Sequence, residues 1–206
     1  MSDDGLGSWD PLSLGEVSAV MGGVDCPWWV AGGWAIDLHI GRMTRDHDDK
    51  DVLLLREDHL RVQRHLSGWD LYAADPPGSL RRWLPGEVLP FGVHDIWCRR
   101  SRTAPWSLQL MLNETENGAW VYRRDSRIRR PIVELLGPAS TPLLPVLSPE
   151  IQLLYKSEAP RAKDELDFES VIPALDGEQR AWLARALATV SPGHPWLDVL
   201  RSPGAT

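Results

Sequence analysis

A short apolar run, Val52–Leu55, restricts the fold more than any other feature, because four acidic residues and a histidine lie directly before it. A run of this length with polar residues before it predicts a buried strand. Alternate residues of a strand point to the same face, so Asp49 and Asp51 project together and Lys50 projects to the other side. Two carboxylates this close disfavour each other unless a cation lies between them or one is protonated. The sequence therefore predicts a strand that starts with unbalanced negative charge.

The spacing of apolar residues predicts an α+β fold with a mixed β-sheet flanked by helices. Asn117-Gly118 is a strong signal for a hairpin between the last two predicted strands. The predicted helices of this part are 12–21, 34–40 and 56–66, and the predicted strands are 28–31, 51–55, 70–73, 92–99, 106–114 and 119–124.

The C-terminal part has a different pattern. Four prolines and little periodicity between Leu135 and Glu150 predict a linker or a wrapping segment, and three helices are predicted after it, over 150–159, 161–175 and 178–190. We therefore predict a mixed-sheet domain over 1–135, a Pro-rich linker over 136–147 and a C-terminal helical subdomain over 148–206.

Composition limits the classes of function. The formal net charge of −7 argues against a nucleic-acid partner, since such binding depends on clustered Lys and Arg, and it is compatible with a cationic small substrate. No apolar run approaches the roughly 20 residues that cross a bilayer, and the N-terminus lacks the features of a secretion signal. We expect a cytoplasmic protein without membrane contact, in which Cys26 and Cys98 are free thiols.

An Asp-x-Asp pair by itself is a weak indication, because such pairs also occur as solvated turn residues. Here Gly32-Gly33 precedes it and opens a predicted helix. A helix N-terminus offers backbone donors to phosphate oxygens, and glycine lets the backbone approach closely. A phosphate-binding turn followed by paired carboxylates, which suit Mg²⁺, is the arrangement that phosphoryl or nucleotidyl transfer needs.

The segment VAGGWAIDLHIGRMTRDHDDKDV resembles the nucleotidyltransferase superfamily related to DNA polymerase beta, and within it the aminoglycoside 2''-adenylyltransferase-like family. The shared pattern is Gly-Gly-Trp-Ala, a basic turn and His-Asp-Asp-x-Asp. The resemblance continues in WVYRRDSRIRRP, SPEIQLLYKSEAPRAKDELDF and PGHPWL, so it spans nearly the whole chain. It implies a nucleotidyltransferase fold with a C-terminal helical subdomain.

The resemblance also implies roles for single residues. Gly32 and Gly33 would hold phosphate, and Asp49 and Asp51 would ligate Mg²⁺. Either Arg45 or Arg42 would meet a phosphate, unless these are surface arginines, while His47 and Asp48 would orient the turn. Lys156 would reach the triphosphate, and Lys163 and Asp164 are expected to pair within the helical subdomain.

The chain departs from the family pattern at one position. The superfamily commonly carries a third carboxylate on a later strand, and the corresponding residue here is Gln109. An amide ligates Mg²⁺ poorly and cannot take a proton from a hydroxyl. Either Asp95 or Glu114 could substitute for it, and the sequence leaves this choice open.

These observations predict an Mg²⁺-dependent nucleotidyltransferase that moves a nucleoside monophosphate, AMP from ATP, to a hydroxyl of a small polar molecule such as an aminoglycoside-like antibiotic. The partners would then be a nucleoside triphosphate and this hydroxyl-bearing acceptor. One alternative is a nucleotide-binding homologue that has lost turnover because of Gln109. Another is a nucleotidyltransferase that modifies a protein or tRNA in a toxin–antitoxin setting.

Overall fold

The chain alternates helices and strands in its first two-thirds and is helical at its end. The computed structural model describes residues 6–202. The helices are α1 (Leu14–Met21), α2 (Gly32–Ile40), α3 (His59–His65), α4 (Pro149–Lys156), α5 (Ala162–Val171), α6 (Gly177–Val190) and α7 (Trp196–Arg201). The strands are β1 (Trp28–Val30), β2 (Asp51–Leu55), β3 (Asp70–Ala74), β4 (Leu80–Arg82), β5 (Asp95–Arg99), β6 (Leu108–Glu116), β7 (Ala119–Val121) and β8 (Arg129–Pro131).

The strands form one mixed sheet with the order β1-β2-β6-β5-β3-β4, and the hairpin partners β7 and β8 extend it from the end of β6. Strands β2 and β6 are parallel, and every other pairing is antiparallel. In the parallel pair, Asp51 lies opposite Gln109. The predicted α+β fold with a mixed sheet and flanking helices is confirmed.

Each face of the sheet packs against its own set of helices. Alternation along β2 sends Val52 and Leu54 to one face, where they pack with α1 and α3. Leu53 and Leu55 point to the opposite face, where they share a core with α2 and the C-terminal helices. Asp51 belongs to this second face by the same alternation, so it points toward the C-terminal helices.

The C-terminal end of the Pro-rich segment is part of the folded core. Val30 of β1 donates its N–H to the Pro145 carbonyl (2.8 Å) and accepts from the Leu147 N–H (2.9 Å). Val146 and Leu147 are buried. This segment therefore wraps along the outer edge of β1, the second of the two interpretations that its composition allowed. The proposed domain bounds remain a prediction, and their ends at 1–5 and 203–206 lie outside the described residues.

The prediction was wrong in several element boundaries. Helix α2 begins at Gly32 rather than Trp34, and β5 begins at Asp95 rather than Gly92. The predicted helix 56–66 is a 3₁₀ turn (Arg56–Asp58) followed by α3, and α7 was missed. The predicted hairpin turn is present, with positive φ at Asn117 (53°) and Gly118 (74°). Both cysteines are free, as predicted. None of the described helices combines the length and the hydropathy needed to span a bilayer.

Candidate active site

A cleft of about 470 Å³ lies between the sheet and helices α4 and α5. The sheet contributes the first residues of two strands, Asp51 of β2 and Asp95 of β5, together with Gln109 of β6. The loop before β2 contributes Asp49. The helical side contributes Gln152, Lys156, Arg161 and Asp164. Residues that the sequence pattern implicated on distant segments therefore meet in one cleft.

The two predicted metal ligands both line this cleft. Burial, and after it the charge of the neighbouring Asp49, raise the pKa of Asp51 from 3.8 to about 7. Lys156 is the first cation to oppose this rise, yet its ammonium is already held by two other carboxylates. Lys50 turns to the other side, as predicted, and its ammonium lies 4.2 Å from the centre of the Trp34 ring. The pair thus carries negative charge that protein cations balance incompletely.

Position 32 requires a glycine because its backbone lies against the Asp51 side chain. Its φ is +65°, a left-handed conformation that side chains other than glycine rarely adopt. A Cβ added there would lie 2.1 Å from the Asp51 Oδ2 atom. The Gly32 N–H donates to the Gln152 side-chain oxygen at 2.8 Å. Gly32 therefore lines the cleft and seats the Asp51 carboxylate, but its own amide donor is already bound within the protein.

Gly33 is covered by the turn that follows α2. An added Cβ would lie 2.3 Å from the His47 ring and 2.5 Å from the Arg45 guanidinium. His47 in turn contacts the Asp37 carboxylate through Nε2 at 2.6 Å, and Thr44 donates to the same carboxylate. The sequence analysis missed Asp37, although an acidic residue on the buried side of α2 was a usable signal. His47 thus links the turn to α2 through a direct contact.

Neither predicted phosphate-binding arginine lies free in the cleft. Arg45 forms a bidentate pair with Asp167 of α5, with Nε–Oδ1 and Nη2–Oδ2 distances of 2.8 Å. Arg42 is exposed and, like the exposed Asp48, is absent from the cleft lining. The structure therefore gives Arg45 a role in joining the turn to the helical part.

Lys156 belongs to the same network of charges. Its Nζ atom lies 2.8 Å from Asp167 and 3.0 Å from Asp164, and its side chain is only 8% exposed. Asp164 is also bound by Arg161, so it pairs with Lys156 and Arg161, whereas Lys163 was the predicted partner. Burial alone would raise the pKa of Asp167, but hydrogen bonds from Arg45 and Lys156 outweigh it and lower that pKa. Asp164 likewise has a lowered pKa, because its hydrogen bonds to Arg161 and Lys156 outweigh burial.

Gln109 and Asp95 are in direct contact. The Gln109 Nε2 atom donates to Asp95 Oδ1 at 3.0 Å, and Gln109 lies opposite Asp51 in the strand register. Glu114, the other possible substitute for the third carboxylate, instead accepts from Arg56 at 2.6 Å. It is also absent from the cleft lining.

The far end of the cleft carries residues that the sequence analysis did not select. They are His94, Asn113, Arg123, Arg124, Tyr155 and Glu158. Arg124 pairs with Glu158, and the Tyr155 hydroxyl donates to the Asn113 side chain. The Arg123-Arg124 pair at the end of a predicted strand was the one available signal. The other residues could be found only from their positions in three dimensions.

The donor set of the acidic pair suits a magnesium ion. Within residues 6–202, no group of three or more His, Cys, Asp and Glu side chains could hold a metal. Mg²⁺ does not need such a group, because it takes one or two protein carboxylates and fills its other positions with water and substrate phosphates. Asp49 and Asp51 supply two carboxylates that line the same cleft.

Two solved structures share this fold. The structure is similar to a lincomycin-bound lincosamide antibiotic adenylyltransferase, LnuA, with a TM-score of 0.53 and 14% identity, over 81% of this chain and 100% of that one. It is similar to the antibiotic-resistance factor ANT(2'')-Ia with a TM-score of 0.53 and 18% identity, over 90% of this chain and 93% of that one. Identities this low indicate a shared fold.

Sequence comparison finds a family match over the first third of the chain. Residues 13–73, which hold the Gly-Gly turn and the acidic pair, match the aminoglycoside-2''-adenylyltransferase family. The same comparison finds 2''-aminoglycoside nucleotidyltransferases of Escherichia coli and Klebsiella pneumoniae, each 62% identical over 26 residues. This match covers 13% of the chain and only 15% of those relatives. The predicted resemblance to this family is confirmed over residues 13–73, and the relatives are named as nucleotidyltransferases.

Proposed function

We propose that this protein is an Mg²⁺-dependent nucleotidyltransferase that moves a nucleoside monophosphate, AMP from ATP, to a hydroxyl of a small polar molecule. The observation that carries the proposal is the pair of Asp49 and Asp51, which share one end of the cleft with incompletely balanced charge. A structural carboxylate pair would be neutralised by its own arginines or lysines, as Asp164 of the cleft lining and the fully buried Asp167 are.

Asp49 and Asp51 would hold the magnesium ion, whose chemistry is to neutralise charge on phosphate oxygens during transfer. Gly32 seats the Asp51 carboxylate against the backbone, and Gln152 fixes Gly32 from the helical side. Together these contacts hold Asp51 in one position before any ligand binds. Such preorganisation is what makes electrostatic stabilisation effective in a transfer reaction.

Lys156 and Arg161 line the cleft together with Asp49 and Asp51 and would meet the triphosphate. Both are bound to Asp164, and Lys156 also to Asp167, so their ammonium and guanidinium groups are held in place. Arg45 supports Lys156 indirectly, because it occupies the other side of the Asp167 carboxylate. We assign Arg45 this supporting role in preference to direct phosphate contact.

The acceptor would bind at the far end of the cleft, beyond Asp95. Two groups of relatives support an antibiotic-like acceptor, since one is named for aminoglycosides and one structure holds lincomycin. The lining here combines arginines, a histidine and a tyrosine with few free carboxylates. Acceptors of both kinds, which are hydroxyl-rich and polar, are therefore the first to test.

The experiment combines the protein with ATP, MgCl₂ and a panel of aminoglycosides and lincosamides, and measures pyrophosphate together with the mass of the acceptor. We expect pyrophosphate release that depends on one class of acceptor, which gains one adenylyl group. Asp49→Asn is expected to abolish the reaction, whereas Asp25→Asn, an exposed acid far from the cleft, serves as the matched control. Acceptor-dependent release that persists in EDTA would contradict the proposal.

One observation favours a second possibility, a nucleotide-binding homologue without turnover. Gln109 lies opposite Asp51 in the sheet, where a third acid would otherwise stand. This version predicts that calorimetry detects binding of ATP and Mg²⁺ while no acceptor gives product. It also predicts that Gln109→Asp creates activity.

A further inference from the structure

We propose that the protein has a second binding site, for a nucleoside phosphate, on the β3–β4 side of the sheet. The site is a cavity of about 570 Å³ at the end of the sheet where β3 begins and β5 ends. Its charged and aromatic side chains are three arginines, one aspartate and two rings, namely Arg82, Arg100, Arg102, Asp70, Trp69 and Tyr72. Among the described residues, none lines both this cavity and the active-site cleft, so the cavity stands apart from the proposed function.

The strand register places the cavity on the face of the sheet that carries Asp51. One row of facing residues crosses five strands in the order Asp51, Gln109, Trp97, Tyr72 and Arg82. Facing residues point to the same side of a sheet. Because neighbouring strands lie about 4.8 Å apart, the four steps from Asp51 to Arg82 span about 19 Å. The cavity is therefore a separate site and not the phosphate end of the cleft.

Positive charge exceeds negative charge in this cavity. Its carboxylate, Asp70, is bound by Arg99 of the neighbouring strand at 3.1 Å and lies 3.5 Å from Arg82. Arg100 and Arg102 are exposed, and none of the ion pairs within residues 6–202 includes either of them. The formal net charge of the chain is −7, so this local excess of arginine is opposite to the overall composition. The cavity is thus suited to an anion.

The aromatic rings of the cavity carry guanidinium groups on their faces. The Arg100 guanidinium lies over the Trp69 ring, 4.1 Å from its centre, and the Arg99 guanidinium lies 5.1 Å from the centre of the Tyr72 ring. A guanidinium that stacks on a ring keeps its N–H groups available, and these bind phosphate oxygens as a fork. Arginines next to aromatic rings therefore suit a ligand that joins a phosphate to a planar ring, which is the chemistry of a nucleoside phosphate.

The size of the cavity favours a small ligand over a polymer. Its volume lies within the range of about 300–1,000 Å³ that is typical of small-molecule sites. A single strand of nucleic acid needs a positively charged groove that continues along its backbone. Here the next arginine on β4, Arg81, is already bound by Asp75 and Glu87, so the unbalanced positive charge does not continue in that direction.

The test is titration calorimetry with AMP in EDTA, which removes the metal on which binding in the cleft would depend. We expect AMP to bind, inorganic phosphate to bind more weakly, and adenosine, which has no phosphate, not to bind measurably. The double variant Arg100→Gln/Arg102→Gln should lower the affinity for AMP by about tenfold or more, because it removes charge-assisted hydrogen bonds to the phosphate. Arg185→Gln/Arg201→Gln, which removes the same charge from exposed positions on α6 and α7, is the matched control and should bind AMP as the wild type does.

Three results would overturn the inference. They are wild-type AMP affinity in Arg100→Gln/Arg102→Gln, an equal loss in the control variant, and far tighter binding of a single-stranded RNA oligomer that depends on the same two arginines. Transfer assays separate this inference from the proposed function. If the wild-type protein transfers AMP to an acceptor but has no AMP site that depends on Arg100 and Arg102, only this inference fails. If AMP binds there but no acceptor is modified, only the proposed function fails.

Discussion

Two pairs of aspartates lie in or beside one cleft and differ in the charges around them. Asp164 and Asp167 of α5 are bound by Arg45, Lys156 and Arg161, and their pKa values lie below the usual 3.8. In the other pair, burial and the charge of Asp49 raise the pKa of Asp51 to about 7. Aspartates therefore form stabilising ion pairs on α5, whereas Asp49 and Asp51 repel each other at the start of β2.

The difference teaches how to separate structural from functional acids in a cleft of mixed charge. Breaking a buried ion pair by removing one partner is strongly destabilising, because the remaining charge is buried alone. Removing a carboxylate that lacks a cation relieves repulsion instead. Substitutions in the two pairs should therefore act on different properties, and each prediction below tests that contrast.

The largest effect is expected from Asp51→Ala. It should lower acceptor-dependent pyrophosphate release by on the order of 10³-fold or more, because a metal ligand supplies several kcal/mol to phosphoryl chemistry. The melting temperature should stay the same or rise, since a buried and repelled carboxylate is removed. Release assays and thermal unfolding of the same sample check both parts. A large loss of stability would show that Asp51 stabilises the fold, as Asp164 and Asp167 do.

Asp167→Ala should act mainly on stability. It leaves Arg45 and Lys156, which are 15% and 8% exposed, without their shared carboxylate. We expect the free energy of unfolding to fall by about 3–5 kcal/mol, as for other broken buried pairs. Urea denaturation measures it. Glu116→Ala, which breaks an exposed pair with Arg129, is the control and should cost at most about 1 kcal/mol.

Gly32→Ala tests the contact that seats Asp51, with Gly41→Ala as the matched control. Both glycines have positive φ, +65° and +81°, so each alanine should cost about 1–2 kcal/mol of backbone strain. Only the Cβ at position 32 meets Asp51, whereas the space at Gly41 is open. The release rate should therefore drop in Gly32→Ala and stay near wild type in Gly41→Ala. Equal rates in the two variants would show that the contact is unimportant.

The smallest effect concerns acid stability. Because the pKa values of Asp164 and Asp167 are lowered on folding, their contribution to stability is complete above 3.8, their usual value. It is lost as pH falls through their folded-state values. We expect the melting temperature to decline below about pH 4. Asp167→Asn should flatten this decline, and an unchanged slope would assign the acid sensitivity to other groups.

The sequence predicted the elements that have a clear local period. The run Val52–Leu55 became the buried strand β2, and the amphipathic spacing before Gly22 became α1. Helix α7 was missed because its six residues follow closely on a Gly-His-Pro turn and are too few to show a helical period. Local pattern and element length thus decided which parts were predictable.

The site was predictable only where it lies on one motif. The segment from Gly32 to Asp51 carries a compact pattern, and both ends of it line the cleft. The partners of Arg45 and Lys156 could not be read from spacing, because Asp167 is 122 residues from Arg45 along the chain. The contact of Gln109 with Asp95 likewise depends on the antiparallel register of β5 and β6.

The wrapping of residues 145–147 along β1 has a consequence for association. An outer strand with free N–H and C=O groups is a template on which a strand of another molecule can pair. Here Val30 gives its N–H to Pro145 and its carbonyl to Leu147, so these groups are already used by the same chain. The Pro-rich segment thus hinders a strand of a neighbouring molecule from pairing with β1 at this position, and so hinders edge-to-edge aggregation.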